Sequence, residues 1–200
     1  MEMDKNTAEI VRKKLSGMKG KVTIEFYGGD AEYSEEMKGL LQKLSELSGG
    51  KVELVEKKPT KEVIGFPAIR VHSNGKGYWF TGIPSGYEFS TFIESFLAVQ
   101  SPEQHLPEDM VDRIKKLDKP VDIKVFVTPT CPYCPRAAFL AIILSSINPK
   151  ISANIVEVSE FQDLGMKYHV YGVPKTVINE TIYLEGAYPP DIVIQKLENL

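Results

Sequence analysis

Cys131 and Cys134 are the only cysteines of the chain, and they stand as Cys-Pro-Tyr-Cys directly behind the apolar run Ile123, Val125, Phe126 and Val127. A Cys-x-x-Cys set at a strand-to-helix turn puts its first sulfur beside the unpaired N–H groups of the helix start, where the dipole favours a thiolate. The second sulfur lies one turn in, within reach of a disulfide. An ordinary thiol with a pKa of about 8.5 is barely ionised at neutral pH, whereas the range of roughly 3.5 to 7.5 found in such motifs makes thiolate substantial. The pattern predicts dithiol redox chemistry, with Cys131 as attacking nucleophile and Cys134 as resolving thiol.

The same motif opens many zinc sites, but zinc wants a second ligand pair. His72, His105 and His169 are scattered singly, so no metal is expected. Arg136 follows the motif closely enough to favour a thiolate by its charge, or is simply a solvated helix residue. His169, close to Val173 and Pro174, reads either as a modulator of the sulfurs or as a partly exposed loop residue. No phosphate loop, Ser-His-Asp set or paired-carboxylate pattern offers a second catalytic site.

The elements that position the motif come in one order, used twice at a spacing of about one hundred residues. An amphipathic helix (Ala8, Ile10, Val11, Leu15; then Met110, Val111, Ile114, Leu117) precedes a strand (Val22, Ile24, Phe26; then Ile123, Val125, Val127). A turn follows, Gly28 to Asp30 or Thr128 to Thr130, then a helix through Met37 and Leu44 or Leu140 and Leu144. Second strands at Val52 to Val55 and Ile155 to Val158 suit right-handed crossovers and parallel pairing. Phe66-Pro67 and Val173-Pro174 each introduce a further strand, and a last strand and helix close each half. Tyr78 to Phe80 read as an edge strand. Between second strand and proline, the second half has room for a helix at Glu160 to Tyr168, and the first half does not. The seam is placed near residue 100, at the polar stretch Ser101 to Leu106 between Pro102 and Pro107. The expected domains are 1–100 and 101–200.

Composition sets the outer bounds. A hydrophobic fraction of 42% supports a buried core, and a net charge of -3 with Lys and Glu interspersed offers no basic face for nucleic acid. No apolar stretch suits a signal peptide or a membrane span, which points to the cytoplasm, where thiols are kept reduced and a cysteine pair is catalytic more often than structural.

Strand, Cys-Pro-Tyr-Cys, helix and the later Tyr-x-x-x-Gly-Val-Pro of Tyr168 to Pro174 resemble the thioredoxin and glutaredoxin superfamily. With Phe126 to Pro135 and Glu185 to Pro189, the whole chain resembles the glutaredoxin-like protein disulfide oxidoreductases of thermophilic archaea and bacteria. The resemblance implies an α/β fold of two tandem thioredoxin-like units, each a mixed sheet flanked by helices. Where that family commonly carries a Cys-x-x-Cys in the first unit, this chain has Ala31, Glu32, Tyr33 and Ser34. The N-terminal region of the flavoprotein component of alkyl hydroperoxide reductase similarly pairs a site-less unit with an active one. The resemblance further implies a cis Val173-Pro174 bond packed against Cys131, a Val173 backbone that pairs with a substrate strand, and substrate contact by Pro132 and Tyr133. Pro67 matches Pro174 in the first unit.

Thioredoxins place a buried acid six residues before the first cysteine, and here that position is Val125. The same count from Ala31 reaches Glu25, which is either a relict buried acid or a solvent-facing residue of an alternating strand. A cluster shared between two such chains is disfavoured, because proline after the first cysteine goes with redox function in that family. The expected activity is thiol-disulfide exchange with protein substrates through a redox-active Cys131-Cys134 disulfide, without another cofactor, recycled by a flavoprotein of the thioredoxin-reductase kind or a small thiol. Alternatives are a dedicated electron carrier to a peroxidase or reductase, and a redox-switched peptide-binding or adaptor module using the groove beside Phe66-Pro67.

Overall fold

The chain is described by a computed structural model over residues 3–29 and 33–200. Ala31 and Glu32, half of the substituted motif, lie outside the described residues.

Helix α1 (Lys5–Ser16) begins where the Asp4 carboxylate accepts the Thr7 amide at 2.9 Å, and it buries Val11 and Leu15 at helical spacing. Strand β1 (Val22–Tyr27) and helix α2 (Ser34–Leu47) lead to β2 (Val52–Glu56), which lies parallel to β1. Strand β3 (Ala68–Ser73) returns antiparallel to β1 and continues into β4 (Lys76–Thr81). Their hairpin turns at Asn74-Gly75, both at positive φ, the geometry that matches the twist of paired strands. Helix α3 (Tyr87–Ala98) and a short 3-10 turn at Pro102–His105 end the first half.

The second half repeats the plan with α4 (Glu108–Lys116), β5 (Val121–Val127), α5 (Cys134–Ile147), β6 (Ile151–Glu157), α6 (Gln162–Lys167), β7 (Lys175–Ile178), β8 (Ile182–Glu185) and α7 (Pro190–Glu198). Again β6 is parallel to β5, β7 antiparallel to β5, and β8 antiparallel to β7. The expected helix between second strand and proline is α6, and the first half has none between β2 and β3.

Four expectations need correction. The halves do not build separate mixed sheets. They share one sheet of eight strands in the order β2-β1-β3-β4-β6-β5-β7-β8. Strand β4 is therefore internal and not an edge: it pairs in parallel with β6, Phe80 opposite Ile155, while the buried Thr81 hydroxyl donates to the Asn154 side chain at 3.0 Å. Joining the two edges satisfies a row of backbone groups that would otherwise stay unpaired. Strand β6 also starts at Ile151, four residues ahead of the apolar signal, because Ser152 and Asn154 interrupt the pattern although Asn154 is buried at the seam. Finally, Cys134 is the first residue of α5 and not one turn in.

Helix α5 packs on β4, β5 and β6 and against α3. It is buried almost all round, from Ala137 and Ala138 to Ile147, as expected of a helix without a polar stripe. On the opposite face of the sheet, Phe126, Val156, Tyr168 and Val177 form a smaller core with Phe161 and Leu164 of the α6 region. No helix among the described residues is long and apolar enough to cross a membrane.

Candidate active site

Strand β5 ends at Val127, and Thr128 to Tyr133 turn the chain into α5. Cys131 and Cys134 are joined as a disulfide with their Cα atoms 5.4 Å apart. The Cys134 amide, an unpaired donor of the helix start, reaches the Cys131 sulfur at 3.1 Å, so the geometry holds a donor on the sulfur that would carry negative charge once reduced. Cys131 is 7% exposed and Cys134 is fully buried, which leaves the first sulfur as the one a partner can reach. Pro132 and Tyr133 project into solvent between them, and Arg136 is exposed on α5.

Strand β7 lies beside β5 with Lys175 opposite Phe126, which sets Pro174 level with Val127. The Val173-Pro174 bond is cis, as is Phe66-Pro67. Val173 is half-buried against the core that contains both cysteines. The Gly186 amide donates to the Pro174 carbonyl at 2.8 Å and ties the turn after β8 to this segment. Lys175, buried, donates to the His169 carbonyl at 2.7 Å and to Glu185 at 3.3 Å. His169 itself is exposed at positive φ, away from any ligand set.

A group that sequence reasoning missed comes from the first half. The Tyr87 amide donates to the Pro129 carbonyl at 2.9 Å, and Gly86, at φ 58°, packs so closely that a Cβ there would fall 2.1 Å from the same oxygen. The N terminus of α3 therefore abuts the loop that carries Cys131. Glu88, the next residue, is 1% exposed, and neither carboxyl oxygen has a hydrogen-bond partner among the described residues. Burial pushes its carboxyl up to about 7. The signal was in the sequence: Glu88, Phe92 and Phe96 share one helical face, and both phenylalanines are core.

The matching region of the first half meets the second half at Gly65 and Ile83. Ser34 donates to the Gly28 carbonyl where the second half has its resolving cysteine. Phe161, between β6 and α6, lies on Gly65, where a Cβ would meet its ring at 2.5 Å. The Glu160 carboxylate accepts the Ile83 amide at 2.9 Å, and burial, together with Glu157 alongside, pushes it up to about 7. Glu25 is neither buried acid nor free surface group. It sits on the face away from Ile24 and Phe26, 3.7 Å from Lys57 and Arg70, and the Tyr27 hydroxyl donates to it at 3.1 Å. Burial and Glu25 push that phenol up to about 12. Among the described residues no group of three or more His, Cys, Asp or Glu is placed to hold a metal ion.

The model of the thioredoxin domain family matches residues 121–199, the part that carries the disulfide. The chain is 26% identical over 189 residues to the F component of the alkyl hydroperoxide reductase of Staphylococcus aureus, covering 94% of this chain and 36% of that protein. The chain thus spans about a third of the length of the curated relatives it matches. Among solved structures, a protein disulfide oxidoreductase of Aeropyrum pernix superposes with a TM-score of 0.88 at 24% identity, covering 99% of this chain and 93% of that one. The alkyl hydroperoxide reductase AhpF of Enterococcus faecalis, a C503A mutant, does so with a TM-score of 0.86 at 24% identity, covering 97% and 98%. The fold is α/β and thioredoxin-like with a mixed sheet, and a Cys131-Cys134 disulfide at this place in it fits thiol-disulfide exchange.

Proposed function

We propose that the chain is a protein-thiol disulfide oxidoreductase of two fused thioredoxin-like units, 1–100 without a dithiol and 101–200 with one. The observation that carries this reading is the disulfide at the head of α5, with the Cys134 amide directed at the Cys131 sulfur. In the reduced protein the Cys131 thiolate attacks a partner disulfide and forms a mixed disulfide, expelling one partner thiolate. The Cys134 thiol then loses its proton and attacks Cys131, releasing the second partner thiolate and closing the Cys131-Cys134 bond. Two electrons pass to the partner, and the reverse sequence donates a disulfide.

Strand β5 has Val125 where an acid would assist the second step. Glu88, buried without a partner and next to the Tyr87 amide that meets the Pro129 carbonyl, is the carboxylate we assign to take the Cys134 proton. Pro132, Tyr133, Val173 and Pro174 form the surface that receives the partner.

The likeness to these alkyl hydroperoxide reductases favours a second reading within the same chemistry: a carrier that takes electrons from a flavoprotein reductase and passes them to one peroxidase. Against the adaptor reading stands Phe161, which packs on Gly65 next to Phe66-Pro67. Insulin reduction by dithiothreitol, followed as turbidity, tests the proposal. Acceleration by the wild type that is lost in Cys131→Ser supports it, and no acceleration by the wild type rejects a general reductase in favour of the dedicated carrier.

A further inference from the structure

The rim of the disulfide is built from four segments, 86–87, 128–135, 170–174 and 186–190, and none contains an Asp, Glu, Lys, Arg or His, in a chain that is 26% charged. They converge through contacts already described: Tyr87 on Pro129, Pro174 beside Val127, and Gly186 on Pro174. Exposed charge returns at once outside them, at Arg136, His169, Glu185 and Asp191, while Glu88 and Lys175, which also border them, are buried. Within the rim, Tyr87, Tyr133, Tyr171 and Tyr188 are exposed, Tyr171 to 89% and Tyr133 to 71%. Tyrosine-rich, charge-poor patches are what the centres of protein interfaces look like, because a desolvated charge without a partner is costly while a tyrosine buries area at little entropic cost.

We infer that this neutral tyrosine rim, with Tyr87 supplied by the cysteine-free half, selects protein segments whose reacting disulfide is flanked by uncharged residues, and disfavours anionic small thiols. The inference rests on the thiol-disulfide reading above. An anionic tripeptide thiol needs cations at its carboxylates. Lys175 cannot serve, being buried and committed to His169 and Glu185, and Arg136 lies outside the rim. The first half then has a function without a dithiol of its own: α3 brings part of the docking surface to the second half's cysteines.

The test uses the pre-reduced full chain and three peptides with one internal disulfide each, identical except for flanks of Ser, Val and Tyr, of Asp and Glu, or of Lys, with oxidised glutathione as a fourth probe. Single-turnover rates should favour the neutral flanks over the acidic ones and glutathione by about tenfold. The neutral rate should change by less than about twofold between low and high salt. Tyr171→Ala and Tyr87→Ala should each slow the neutral peptide by about fivefold, whereas Ile10→Ala, an exposed apolar residue on α1, should not. Preference for either charged peptide or for glutathione, a steep salt dependence, or tyrosine variants at the wild-type rate would overturn the inference. If the wild type reduces no probe and its own disulfide resists dithiothreitol, the thiol-disulfide reading itself fails and takes the inference with it.

Discussion

The Gly28–Ser34 turn and the Thr128–Cys134 turn stand on the same scaffold. Each follows the first strand of a β-α-β crossover, each precedes a long helix, and each has a cis proline beside it, Pro67 or Pro174. Their surroundings differ in opposite senses. Beside Pro67, the other half packs Phe161 on Gly65 and Glu160 on the Ile83 amide. The second turn has Tyr171 and Tyr133 in solvent around it and is buttressed by Gly86 and Tyr87. The scaffold is therefore not what makes a site. The half that carries the disulfide is the one with exposed tyrosines around it.

That contrast can be broken in three ways. The largest effect is expected from restoring the first motif, Ala31→Cys with Ser34→Cys, in a Cys131→Ser, Cys134→Ser background. Because Phe161 and Glu160 of the other half pack beside Pro67, insulin reduction should stay at the uncatalysed rate, and turnover approaching that of the wild type would show that two sulfurs alone were missing.

Next in size is Gly86→Ala. Gly86 has φ 58°, and an added Cβ would collide with the Pro129 carbonyl, so the halves must part at the active loop. A loss of about 3 kcal/mol in denaturant unfolding is expected, with a fall in turnover that Gly49→Ala, at positive φ but in open space, does not reproduce. Equal losses in the two variants would reduce the contact to backbone strain alone.

The smallest effect comes from Glu88→Gln. Its carboxyl has a folded value of about 7 against an ordinary 4.5, so the stability it permits is complete below pH 4.5 and is lost as the pH rises through 7. The Gln variant should be more stable than the wild type at pH 8 and equal to it at pH 4. Its resolving step should slow by at least about tenfold. A resolving rate that does not change would make Glu88 a buried acid without a part in the chemistry.

Much of this was legible in the sequence where local pattern decides. The Cys-Pro-Tyr-Cys turn, the two proline-led strands and α6 all have signatures within a few residues. What was hidden depends on the partner of an edge. Tyr78 to Phe80 look like any amphipathic edge strand, and Asn154 looks like a loop residue, until β4 and β6 are side by side and Thr81 meets Asn154. Glu88 was missed for a similar reason, since the spacing to Phe92 and Phe96 says that it is buried but not beside which loop. Glu25 was undecidable by alternation alone, because its ion partners come from β3 and from Lys57 beyond β2.

The central claim is that Cys131 alone receives the partner. Cys134→Ser, pre-reduced and mixed with a disulfide-bonded protein such as insulin, should accumulate a covalent adduct that dithiothreitol releases, with the link mapped to Cys131, while Cys131→Ser should form none. An adduct through Cys134 in Cys131→Ser, formed at a comparable rate, would contradict the account.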